Sequence, residues 1–225
     1  MKKMYFKTLS TVFTVLIVLM QLFSYAQEKT KGELYHEKMK SSLYTLYKAG
    51  NYQTFKMMSN QLRKIADEEK TKWIPYYHAA YAHIMAAFLS KEKFEAEEFL
   101  NNGQEMIDNA NKYSPNNSEI VALQGFLYQA RIIVNPEARS QEYLHKAVKE
   151  YDQARFMNPE NPRPYYLIGQ ILYRIPKQLG GNKENACEHF QKASDKYKSF
   201  KPRSEFSPNW GEEANQLLLD KCKSN

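Results

Sequence analysis

The stretch AVKEYDQARFMNPENPRP, Ala147–Pro164, reads as a helix end, a proline-punctuated turn and the start of the next helix. Its spacing recurs. Ala147, Tyr151, Ala154 and Pro159 are matched by Gly103, Ile107, Ala110 and Pro115, an offset of 44 residues. A third copy has Ala186, Phe190 and Ala193 and then loses its proline. The segments after the turns align as well. Pro75-Tyr76-Tyr77-His78-Ala79-Ala80 corresponds to Pro164-Tyr165-Tyr166-Leu167-Ile168-Gly169, and Ile120–Gly125 holds the same place between them. Small residues therefore fall at Ala80, Gly125 and Gly169.

These positions describe helix pairs. A small residue on the first helix of a pair lets the second approach closely, and Gly103, Ala147 and Ala186 do the same from the other side. The larger residue four positions on (Ile107, Tyr151 or Phe190) shares that face and fills the space beside the contact. A single pair buries little, so pairs must stack.

The pattern resembles the tetratricopeptide repeat, in a divergent form. The match is carried by Gly169 with Ala186-x3-Phe190-x2-Ala193, and by Ala147-x3-Tyr151-x2-Ala154-x4-Pro159. It covers roughly Trp73–Lys198 and, more loosely, Glu33–Ala66. It departs from the family in its period, which is about 34 residues in tetratricopeptide repeats. Gln124 and His83 also stand where the family has an apolar and an aromatic residue. The resemblance implies an all-α, right-handed superhelical stack of antiparallel helix pairs, an α-solenoid of about nine helices. It further implies that the first helices of the pairs line an inner groove. On this chain the groove positions are Tyr77, Tyr81 and Met85, then Phe126 and Gln129, then Tyr166, Gln170, Tyr173 and Arg174. Tyrosine suits recognition because it offers area, a polar tip and little entropy loss. The competing reading is that many of these rings are core.

Met1–Ala26 looks like a secretory signal peptide: Lys2, Lys3 and Lys7, an apolar run Thr8–Phe23, then Ser24-Tyr25-Ala26. Cleavage before Gln27 is expected, with an uncleaved anchor as the alternative. No cysteine follows the run to carry a lipid, and no other long apolar run follows. A mature chain of 199 residues is ample for one domain, and its charge falls from +7 to +4, spread among Glu and Asp. That is a solvated surface rather than a nucleic-acid patch. The domain is read as 27–225, with repeat units at about 33–71, 72–115, 116–159 and 160–200 and a closing helix at 209–222. Gly50-Asn51 is expected to give a left-handed cap, Leu179–Asn182 a turn, and Lys201–Pro208 a loop. Leu217, Leu218 and Leu219 are expected to cover the last apolar face.

Chemistry-bearing motifs are sparse. Cys187 and Cys222 would meet if the last two helices pack antiparallel, giving a disulfide; two buried free thiols are the alternative. His36, His78, His83, His145 and His189 form no metal-ligand spacing. Gly180-Gly181 lacks the rest of a phosphate loop, and Glu97-Glu98 and Glu212-Glu213 do not converge. No nucleophile motif is present, so the chain is not expected to be an enzyme or to hold a cofactor. The first expectation is an exported adapter or scaffold, periplasmic or extracellular in a bacterial envelope, binding a protein or peptide in the groove. The alternative is a soluble ligand-binding accessory protein of an envelope transport system.

Overall fold

The computed structural model describes Ile17, Met20, Gln21 and residues 30–224, with nothing said of the Leu179 side chain. The expected signal segment and its cleavage point lie outside the described residues, those three positions excepted. The chain separates into two compact units, Met1–Ser41 and Ser42–Asn225. In the first, residues 30–41 are helical. The rest of this section concerns the second unit.

Among the described residues of that unit, every regular element is a helix. Residues 42–47 form α1. Then come α2 (Tyr52–Glu69), α3 (Trp73–Leu89), α4 (Lys93–Tyr113), α5 (Ser118–Val134) and α6 (Pro136–Met157). They are followed by α7 (Pro162–Arg174), a 3-10 turn at Lys177–Leu179, α8 (Lys183–Ser199) and α9 (Glu212–Lys223). Successive helices from α2 to α9 pack in order, and α5 also touches both α3 and α7, so the expected all-helical stack of pairs is present.

Asparagine starts four of these helices. The side chains of Asn51, Asn117, Asn161 and Asn182 accept from backbone N–H groups of the first turns of α2, α5, α7 and α8. Gly50 does not take the positive φ expected of it; among the described residues positive φ falls to Lys70, Asn116, Gly180 and Gly211.

The small residues act at the positions the repeat assigns. A Cβ on Gly125 would lie 2.4 Å from the Tyr151 ring, and one on Gly169 would lie 2.6 Å from Phe190. Tyr151 and Phe190 are themselves fully buried. The turns are tied as well: Ser118 Oγ donates to the Ala154 carbonyl and accepts from Asn161 Nδ2, both at 2.9 Å.

Cys187 and Cys222 form a disulfide with Cα atoms 5.8 Å apart, joining α8 to α9. Asn215 on α9 adds a hydrogen bond to the Phe190 carbonyl at 3.0 Å. The leucines of α9 do not cover the face as a set: Leu219 is buried and Leu217 is exposed. α9 nonetheless packs on α8, through Leu219, Asn215 and the disulfide.

Candidate ligand-binding face

The nine residues assigned to a groove do lie on the inner helices α3, α5 and α7, but most do not face open space. Tyr77, Phe126, Gln129, Tyr166 and Gln170 are buried, Tyr81, Met85 and Tyr173 are half-buried, and Arg174 is exposed. Tyr173 turns toward Phe190 of α8, ring centroids 6.1 Å apart.

What buries them is the chain's own segment Phe206–Trp210, the inner strap. His78 Nε2 pairs with the Phe206 carbonyl at 2.8 Å, and its Nδ1 pairs with Tyr47 Oη at 3.1 Å. Tyr47 Oη also accepts from the Asn209 N–H at 3.1 Å. Arg163 Nη2 donates to the Pro208 carbonyl at 2.5 Å. The Trp210 indole N–H donates to Tyr77 Oη at 2.9 Å, and the Trp210 carbonyl accepts from Tyr197 Oη at 3.1 Å. Most of these partners are backbone groups of the strap, so the inner face satisfies an extended segment that has no secondary structure of its own.

Charge and aromatic stacking complete the arrangement. Arg163, 1 % exposed, pairs with Glu119 at 2.9 Å and lies over the rings of Phe200 and Trp210. Burial raises the Glu119 carboxyl above the usual range, against the pull of Arg163. Burial likewise lowers His78 to about 4, so it is neutral at pH 7. Trp210 stacks on Tyr81 at 5.0 Å and on Phe126 at 5.4 Å. Below this layer runs a buried polar chain. Tyr151 Oη donates to Gln129 Oε1 at 2.9 Å, Gln129 Nε2 donates to Gln170 Oε1 at 3.1 Å, and Gln170 Nε2 donates to Tyr166 Oη.

The strap stops at mid-length of the inner helices. Toward their C-terminal ends the same faces carry Met85, Phe88 and Leu89 on α3, Ile133 on α5 and Arg174 on α7. Helical periodicity places Phe88 below Tyr81, Ile133 below Phe126 and Arg174 below Gln170. Phe88 packs on Phe126 at 5.2 Å. Leu89 is 41 % exposed and Ile133 44 %. This strip is apolar with a cation at one edge. Phe88, Leu89 and Ile133 were missed in the sequence, although Ile133 lies seven residues beyond Phe126, two helical turns along the same face.

The strip holds no histidine. His78 is buried with both nitrogens engaged, and His83 is buried with neither nitrogen hydrogen-bonded among the described residues. No group of three or more His, Cys, Asp or Glu residues able to hold a metal ion occurs among the described residues. No described helix is long and apolar enough to cross a membrane.

No protein-family model and no curated protein sequence matches the chain. Among solved structures it is similar to the HusA haemophore from Porphyromonas gingivalis, with 29 % identity and a TM-score of 0.76, covering 84 % of this chain and 93 % of that one. A second, the MamA RS-1 ArsTM double mutant, shares 16 % identity over 75 % of this chain and 96 % of that one. Its TM-score is 0.32, a likeness too loose to carry fold or function.

Proposed function

We propose that this chain is an exported haem-binding carrier that takes the porphyrin on the strip of Met85, Phe88, Leu89 and Ile133. The observation that carries this reading is the 29 % identity and TM-score of 0.76 to a haemophore over most of both chains. The chemistry of the strip supports it. A porphyrin is a flat apolar plate with two carboxylates at one edge. Side chains from neighbouring helices would bury the plate, and the Arg174 guanidinium would pair with a carboxylate. Met85 brings a thioether, a soft ligand for iron. The basic, then apolar N-terminal stretch supports export. A protein or peptide adapter has less surface to use, since the strap covers the aromatic part of the inner face.

The purified chain titrated with haemin should show a saturable Soret shift at one equivalent. A Phe88→Ala/Leu89→Ala double variant should lose about tenfold or more in affinity, from burial worth roughly 25 cal/mol per Å². Met85→Leu should keep the affinity within a few-fold and move the Soret maximum. A wild-type spectrum that is the sum of free haemin and protein, at every ratio, ends this reading.

A further inference from the structure

We infer that Trp210 is a positioning residue for this strip, acting through Phe126 on Phe88, so that the inner strap completes the ligand face. The inference rests on the haem-carrier reading for its ligand, and on ring geometry for its mechanism.

Trp210 is itself buried and therefore does not meet the ligand. Its ring lies nearly parallel to Phe126, at 23° and 5.4 Å. Phe126 in turn meets Phe88 at 5.2 Å and 52°. Phe88 is the half-exposed end of this relay and belongs to the strip. The indole is fixed on several sides. Its N–H is held by Tyr77 Oη at 2.9 Å, its carbonyl by Tyr197 Oη at 3.1 Å, and Tyr81 and Arg163 lie over the ring. The residue that follows, Gly211, has φ +100°, and a Cβ there would lie 2.2 Å from Tyr197 Oη. The backbone therefore cannot slide without glycine's freedom at that point. Phe126 has no such polar anchor; its ring angle is set by the surfaces around it. Replacing the indole with a smaller side chain opens space on the Trp210 side of Phe126. The ring relaxes into that space, and Phe88 loses the wall that holds it toward the strip.

A merely structural Trp210 would also weaken the fold, so the test needs a matched control. Leu219→Ala removes a buried side chain from α9 and leaves the ring relay intact. Haemin titration and aromatic 1H–13C spectra are recorded for the wild type, Trp210→Leu, Trp210→Phe, Phe126→Leu and Leu219→Ala. Trp210→Leu and Phe126→Leu should each weaken haemin binding about tenfold and shift the Phe88 ring resonances. Trp210→Phe should recover most of the affinity, and Leu219→Ala should lower the melting temperature with affinity within about twofold. Unmoved Phe88 resonances in Trp210→Leu and Phe126→Leu, or equal weakening by Leu219→Ala, would overturn the inference. A wild type that binds no haemin while its variants still shift Phe88 would sink the carrier reading alone.

Discussion

The two halves of the inner face differ in every physical respect. Toward the N-terminal ends of α3, α5 and α7 the face sets buried polar and charged groups, His78, Glu119 and Arg163, among its aromatic rings, and the strap covers it. Toward their C-terminal ends it is apolar, edged by Arg174, and left open. A buried charge is tolerable only where its partners are fixed, and the strap supplies fixed backbone carbonyls. The open half needs no such partner. Its apolar side chains gain by being covered, and a ligand can provide the cover.

The largest test of this contrast is Arg163→Ala. It leaves Glu119 buried without its counter-charge and the Pro208 carbonyl without its donor. A loss of about 3–5 kcal/mol is expected in chemical denaturation. A loss below about 1 kcal/mol would mean the covered half is not held by charge.

Next comes the staple that follows the strap. Replacing Cys187 and Cys222 with serine removes a cross-link spanning 35 residues and should cost about 3–4 kcal/mol, read as a lower denaturation midpoint. Loss of Trp210 fluorescence polarisation along with it would tie the staple to the strap.

Acid should weaken the fold through its buried histidines, one of them under the strap. Burial lowers His78 to about 4 from an ordinary 6.5, so the unfolded chain binds its proton first as pH falls. The stability is intact above about 6.5 and is lost on the way down to about 4. Going from pH 7 to pH 5 should remove roughly 2 kcal/mol for this residue. His83, beside Phe99 of α4, is also lowered to about 4 by burial and has no hydrogen-bond partner among the described residues, so His83→Phe should remove its share of the acid loss. An unchanged pH profile in that variant would count against the assignment.

The smallest effect belongs to the open half. Leu89→Ser should cost only about 1 kcal/mol of stability, because the side chain is 41 % exposed and gives up only part of a full burial. Its main effect should appear in haemin affinity.

Much of the helical stack was legible in the chain because its cause is local and periodic. Gly125 opposite Tyr151 and Gly169 opposite Phe190 are set by spacing, and the asparagine caps by the few residues that follow them. The closure of the inner face was not legible. It depends on Trp210 reaching Tyr77, 133 residues away, from a stretch with two prolines and no period. Phe206 and Trp210 in that stretch were the available signal, since large rings are seldom left in water without a purpose. The resemblance to repeat proteins pointed to the inner helices α3, α5 and α7, but it carries no information about a segment outside the repeats.

The strap also has a consequence in time. As the chain leaves the ribosome, the helices from Tyr52 to Phe200 can form from contacts near in sequence. The bond from Asn209 to Tyr47 bridges 162 residues and waits until residue 209 has been made. Until then the Arg163 charge and the aromatic rings around it stand uncovered, a nascent surface that a chaperone or protease can read as unfinished. A translation product stopped before residue 206 would carry that mark permanently.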